Sequence, residues 1–170
     1  MTVSLAQGLD FEDMFNLAPV SLWMEDYSLL KQLFEQWREE GVTDLLAFLQ
    51  ADPARLQRCS QSFQVLKVNQ YTLDLFKAAD EVFREKMLDN IVPELVALWE
   101  GQKCFENRSV NYDLEGRAIN VHITGRVLPG YEDCWSRVLV SLQDITAEMQ
   151  STAQLQSSER YARELFEYSP

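Results

Sequence analysis

The sequence has little positive charge and few residues that bind metals. Its 15 Lys and Arg stand against 27 Asp and Glu, a net charge of −12, which argues against binding to nucleic acid or to an anionic membrane surface. Its three cysteines, Cys59, Cys104 and Cys134, are scattered and odd in number, and they predict free thiols in a reducing cytoplasm. The single histidine, His122, cannot form a zinc site alone.

Long apolar runs and catalytic motifs are also missing. No run approaches the roughly 18 residues needed to cross a membrane, and the first residues, MTVSLAQGLDFED, lack the basic start of a signal peptide. There is no Gly-rich phosphate loop, no G-x-S-x-G elbow and no nucleophile–base pair. Acidic pairs such as Glu25-Asp26 are interpreted as solvated or helix-end charges. We therefore expect a non-enzymatic cytoplasmic domain that binds a small molecule, another protein, or both.

The periodicity that is present predicts a sheet with helices. In the segment Arg117–Leu128, the apolar Ile119, Val121 and Ile123 alternate with polar residues, as in an antiparallel strand with one buried face. The remaining pattern predicts strands over Val20–Asp26, Ser62–Asn69, Cys104–Asp113 and Arg137–Ile145. It predicts helices over residues 10–18, Tyr71–Phe76 and Asp80–Glu100, and three more helices between Ser28 and Ser60. The simplest arrangement is an α+β fold, a five-stranded antiparallel sheet with helices on one face.

Four stretches resemble a PAS domain, the sensory module of bacterial signalling proteins. They are FNLAPVSLW, VLKVNQYTLDLF, the hairpin around Glu115-Gly116, and VLVSLQDITAEM, whose Asp-Ile-Thr signature leads into a signalling helix. The resemblance implies a PAS domain over residues 10–146 after an N-terminal extension, 1–9, with a helical insertion, 28–60, between the first two strands. A linker or signalling helix, 147–160, follows. The last residues, YARELFEYSP (161–170), repeat the pattern of Met14–Pro19 and predict the start of a second PAS domain.

The resemblance implies a regulatory function. Such a domain senses a small molecule or mediates dimerisation, and Asp144, Ile145 and Thr146 would pass the signal to a downstream domain of the same chain. The insertion, with its EGVTDL phrase, is similar to PAS domains that precede GGDEF and EAL modules, which favours cyclic-di-GMP synthesis or hydrolysis as output. A cofactor-free interaction module and the sensor of a histidine kinase stay open as alternatives. A homodimer is expected through the first helix and the neighbouring outer face of the sheet.

A ligand pocket would lie between the apolar face of the sheet and the helices. Haem-binding PAS domains take an axial histidine from the long helix, which has none here, and the flavin domains need a reactive helix cysteine that is also missing. The residues thus argue against haem and flavin. A stripe of this kind is more often plain core than ligand cavity, because the sheet needs filling in any case. The candidate wall residues are Trp23, Phe76, Ile91, Val110, Ile119, Val121, Val138 and Val140. The candidate polar residues are Asn69, Asn107, Arg108 and Tyr112. Asn69 has an alternative role, which is to cap the helix that follows it.

The tail after Ala147 has a weak coiled-coil pattern. Its best register, Ser151, Leu155, Ser158, Ala162 and Leu165, is half polar, whereas a stable coiled coil needs apolar residues at both core positions over several heptads. We therefore predict a helix that is stable only when it is docked or paired, and weaker beyond Gln154.

Overall fold

The computed structural model describes residues 10–78 and 91–168. The helices and strands follow the order predicted from the sequence. They are α1 (Phe11–Leu17), β1 (Ser21–Asp26), α2 (Ser28–Glu39), α3 (Leu45–Ala51), α4 (Pro53–Ser60), β2 (Gln64–Val68), α5 (Gln70–Phe76), α6 (Val92–Trp99), β3 (Cys104–Tyr112), β4 (Ala118–Val127), β5 (Val138–Asp144) and α7 (Thr146–Glu167).

Five strands form one antiparallel sheet in the order β2-β1-β5-β4-β3. The first strand lies second in this order, between β2 and β5, where Trp23 is opposite Val68 of β2 on one side and Val140 of β5 on the other. Buried residues of the sheet form one hydrophobic cluster with buried residues of α2 to α6. The predicted α+β fold, with the helical insertion between the first two strands, is confirmed.

The helical insertion belongs to the core. Leu30, Phe34 and Trp37 of α2 are almost fully buried. The Phe34 ring meets Trp99 of α6 and Trp135 edge to face, with ring centroids 5.2 and 6.1 Å apart, a geometry that stabilises beyond area burial alone. The insertion is therefore part of the hydrophobic core of the domain.

Local capping signals fix several helix starts. The Asp52 side chain accepts a hydrogen bond from the backbone of Ala54, and Pro53 occupies the first turn of α4, as the sequence predicts. The cap of α3 is Asp44, whose carboxylate accepts from the Ala47 N–H.

The long helix predicted over Asp80–Glu100 is described only in its second part. Residues 80–90 lie outside the described residues, and α6 begins at Val92. Pro93 lies in the first turn of α6, where its missing N–H needs no helical partner. Pro93 therefore belongs to the start of this helix.

The tail helix α7 is continuous from Thr146 to Glu167, and none of its described residues is buried. It extends past Gln154 and across the predicted boundary at residues 160 and 161. The marginal stability of the isolated helix and the second PAS domain both stay predictions.

Candidate functional site: a pocket with two acidic side chains

A pocket of about 430 Å³, the space at its mouth included, lies on the inner face of the sheet beside α6. The described residues that line it are Trp23, Glu25, Tyr27, Phe63, Ile91, Glu94, Asn111, Ile123, Val140 and Leu142.

Three of the predicted wall residues, Trp23, Ile91 and Val140, lie in this lining. Four others belong to the buried cluster next to it. Phe76, Ile119, Val121 and Val138 are at most 1% exposed, and the Phe76 ring meets Trp23 edge to face at 6.1 Å between centroids. These four residues form core behind the pocket.

The prediction that Val110 and Tyr112 face the pocket is wrong. They are 44% and 59% exposed, and Arg108, which shares their side of β3, is exposed as well. Successive side chains of a strand point to opposite faces, and the buried Phe105 and Asn111 define the inner side. The apolar character of Val110 does not identify the inner face of β3, which is the face that carries the buried Phe105.

The asparagine of β3 that lines the pocket is Asn111, whereas the sequence predicted Asn107. Asn107 lies on the inner side of β3 and is partly buried, but it is not among the described lining residues. Asn111, four residues further along the same side, lines the pocket and is 8% exposed. The alternation anchored at Phe105 was the signal that could have identified Asn111.

Asn69 has a structural role outside the pocket lining. Its side-chain oxygen accepts from the N–H of Thr72 at 3.1 Å and from the N–H of Leu22 at 3.0 Å. Its amide nitrogen donates to the carbonyls of Phe15, at 3.1 Å, and Val20, at 2.8 Å. The predicted capping role is confirmed, and the same side chain fixes α1 and β1 to the start of α5.

Glu25 is a pocket residue that the sequence analysis missed. The expectation that Glu25-Asp26 is a solvated charge pair is wrong for Glu25, because its side chain lines the pocket and accepts a hydrogen bond from the Tyr27 hydroxyl at 2.5 Å. Burial raises the pKa of Glu25 to about 7, although the bond from Tyr27 favours the charged form. Its place on the same face of β1 as Trp23 was the available signal.

Tyr27 is 1% exposed and packs edge to face against Phe63, with ring centroids 4.5 Å apart. Burial raises the pKa of Tyr27 well above its usual value, and the neighbouring charge of Glu25 raises it further. Tyr27 is therefore a neutral donor that holds one oxygen of Glu25.

Glu94 was also missed, and it lies in the same pocket. It stands in the first turn of α6 and is 7% exposed. Burial raises its pKa to about 8, and the nearby Glu25 adds to the increase. Within the part of the chain that the structure describes, no hydrogen bond or ion pair to the Glu94 carboxyl is found. Its spacing from Ile91 and Leu95, both buried, was the signal that this glutamate faces inward.

The strand–helix junction after β5 is held by hydrogen bonds. The Asp144 carboxylate accepts from the Thr146 N–H at 2.9 Å. The helix α7 begins at Thr146, whose hydroxyl accepts from the Asn120 N–H at 2.9 Å. The Ile145 N–H donates to the Asn120 carbonyl at 2.8 Å. The junction is therefore fixed to β4 as well as to β5.

The remaining chemistry-bearing residues lie away from the pocket lining. His122 is on the outer face of the sheet, with Nε2 2.6 Å from the Glu106 carboxylate. Among the described residues, no cysteine is in the lining, and no group of three or more His, Cys, Asp or Glu side chains could hold a metal ion. The expectation that the chain binds neither haem nor flavin stays a prediction.

Within residues 10–78 and 91–168, no helix is both long enough and apolar enough to cross a membrane.

The chain was compared with protein-family models and with curated proteins, and neither comparison gives a match. Among solved structures, it is similar to the PAS domain, in complex with ethanol, of a LuxR-family transcriptional regulator from Burkholderia thailandensis, with 13% identity over 81% of this chain and 98% of that one and a TM-score of 0.45. It is also similar to a PAS domain from Colwellia psychrerythraea, with 9% identity over 80% and 94% of the chains and a TM-score of 0.49. A third is the LOV domain of a blue-light activated histidine kinase from Erythrobacter litoralis, with 12% identity over 75% and 97% and a TM-score of 0.45.

The strand order and the positions of the helices identify the fold without reference to these sequence identities and TM-scores. One antiparallel sheet has the order β2-β1-β5-β4-β3, helices cover its inner face, and a terminal helix follows β5 directly. With these features, the chain has the PAS fold.

Proposed function

We propose that this chain is a sensory PAS module of a multidomain signalling protein, which binds a small molecule in its pocket and transmits the binding through α7 to a downstream domain. The observation that carries the proposal is the position of β5. Its residues Val140 and Leu142 line the pocket, and the same strand ends at Asp144, which holds the first turn of α7.

The path from pocket to helix is short. A ligand that contacts Val140 or Leu142 acts on β5 within a few residues of Asp144. A ligand can shift the position or population of α7 only by as much as its affinity differs between the two states. The exposed α7, which buries none of its residues, has few contacts that would oppose such a shift.

The proposal can be tested on the purified chain with a small-molecule thermal-shift screen, followed by hydrogen exchange. We expect compounds that raise the melting temperature, and a change in exchange of the α7 amides on binding. In Asp144→Ala, the compound should still bind, but the change at α7 should be lost. Gln143→Ala, an exposed neighbour on the same strand, is the matched control. Binding that leaves α7 unchanged in the unsubstituted chain would refute transmission by this route.

For the output, we propose cyclic-di-GMP synthesis or hydrolysis by a GGDEF or EAL domain. The support is the resemblance of the helical insertion, whose helices α2 to α4 form part of the core. A full-length protein that phosphorylates itself on histidine, and neither makes nor degrades cyclic-di-GMP, would favour the alternative of a histidine kinase sensor.

We also propose a homodimer formed through α1. Its Phe11, Met14 and Leu17 are 61%, 56% and 73% exposed, whereas Phe15 is buried against the domain. Adjacent exposed apolar side chains of this kind mark contact surfaces. Sedimentation at tens of micromolar should give a dimer, and Met14→Glu should give a monomer. A dimer with an unfilled, unresponsive pocket would instead favour a cofactor-free interaction module.

A further inference from the structure

The pocket brings two acidic side chains from distant parts of the chain to one apolar surface. Glu25 comes from β1 and Glu94 from α6, and the two interact electrostatically across the pocket they line. Among the described lining residues, none is basic. Like charges at one site oppose each other's ionisation, and no positive charge among the described lining residues compensates the two carboxylates.

Glu94 supplies the independent observation that points to a ligand. Its side chain is more than nine-tenths buried and lines the pocket, and it has no hydrogen-bond or ion-pair partner among the described residues. Buried charged groups in proteins are paired or bind ions. Glu25 differs, because one of its oxygens already accepts from Tyr27; its other oxygen accepts no hydrogen bond from the part of the chain that the structure describes.

The rest of the lining favours a cation with an organic part. The rings of Trp23, Tyr27 and Phe63 contribute to the wall, and aromatic faces attract ammonium groups through their quadrupole. Asn111 adds an amide that can accept a further hydrogen bond. The net charge of −12 also raises the local concentration of cations around the molecule.

We propose that the pocket binds a small organic ammonium ion, whose N–H groups donate to Glu25 and Glu94 and whose organic part lies against the aromatic wall. The inference rests on the proposed function, because it takes this pocket as the ligand site. It specifies the class of ligand: a protonated amine in preference to a neutral or anionic molecule of the same shape.

Proton release accompanies this binding. The groups that act on the two carboxyls in the described part of the chain are Tyr27 and the carboxyls themselves. Burial holds the pKa of Glu25 at about 7 and that of Glu94 at about 8, and an ammonium ion beside them favours their charged forms. Amine affinity should therefore rise from pH 6 to pH 8, with protons released on binding.

The test is a calorimetric comparison of amines with matched alcohols on the purified 170-residue chain. The pairs are butylamine with butanol, benzylamine with benzyl alcohol, and 1,4-diaminobutane with 1,4-butanediol, with benzoate as the anion. At least one amine should bind tenfold or more tightly than its alcohol, and benzoate should not bind. Titration in buffers of different ionisation enthalpy should show the released protons.

Substitutions distinguish amine binding in the pocket from amine binding to acidic side chains on the surface. Glu94→Gln keeps the side-chain volume and should weaken amine binding tenfold or more, and Glu25→Gln should do the same. Glu100→Gln, at the exposed end of α6, is the control and should bind as the unsubstituted chain does. Amine binding that is unaffected by the two pocket variants overturns the proposal, as does the absence of any preference for amines within the three pairs. If an alcohol or benzoate binds best and Leu142→Trp abolishes that binding, the cation inference fails while the sensory function stands.

Discussion

Replacing Glu94 by glutamine should change how the stability of the protein depends on pH. The carboxyl is 7% exposed, in the first turn of α6, and faces Glu25 across the pocket. Glutamine keeps nearly the same volume and shape but has no charge to bury. The substitution therefore isolates the cost of ionising this one group inside the folded protein.

The magnitude follows from the pKa of Glu94, which burial raises from the usual 4.5 to about 8. The folded protein binds this proton more tightly than the unfolded chain does, so the free energy of unfolding falls as pH rises from 4.5 towards 8. At about 1.4 kcal/mol per pKa unit, the loss is about 5 kcal/mol by pH 9. Below pH 4.5 the carboxyl is protonated in both states, and this contribution to the pH dependence vanishes.

Urea unfolding followed by tryptophan fluorescence at pH 5, 7 and 9 measures the effect. The difference in free energy of unfolding between Glu94→Gln and the unsubstituted chain should grow by about 3 to 5 kcal/mol from pH 5 to pH 9. The control Glu100→Gln, exposed at the end of the same helix, should follow the unsubstituted chain at every pH. A difference that stays constant across this range would refute the argument that Glu94 is held in a desolvated site.

Three further substitutions or reactions test other contacts. Asn69→Ala removes a fully buried side chain that both caps α5 and donates to two backbone carbonyls, and it should lower the free energy of unfolding by about 4 kcal/mol in urea titration. Gly125→Ala would place a Cβ only 1.9 Å from the ring of Phe105, so it should destabilise the protein by about 2 kcal/mol, and by much less when combined with Phe105→Ala. Cys134 is exposed and hydrogen bonds lower its pKa, whereas burial raises the pKa of Cys59 to about 12. Mass spectrometry should therefore find iodoacetamide adducts on Cys134 long before it finds them on Cys59. Equal rates of modification at the two cysteines would contradict this assignment.

The elements of the fold were predictable because their signals are local. Alternation along Arg117–Leu128 identified β4, and the Asp52-Pro53 start of α4 and the Asn69 cap of α5 were read from neighbouring residues. A cap depends on a side chain and an N–H two or three positions away. These contacts are fixed within one turn of chain, so the sequence carried the information for them.

The orientation of β3 was not predictable from the strand alone. Alternation separates two faces but does not say which one the helices cover when both contain polar and apolar side chains. Val110 is apolar and exposed, whereas Asn111 is polar and buried. The pairing of Phe105 with Gly125 of β4 places that ring on the inner face, and this contact between strands decides the orientation of every other residue of β3.

The acidic pocket was decided by the tertiary structure. By sequence, Glu25 and Glu94 are ordinary charged residues, in a strand and in a helix, and most such residues are solvated. Only the packing of α6 over the inner face of the sheet brings them to one pocket and removes water from both. Desolvation depends on everything that surrounds a group, and for these two carboxyls the surroundings come from strands and helices far apart in the chain.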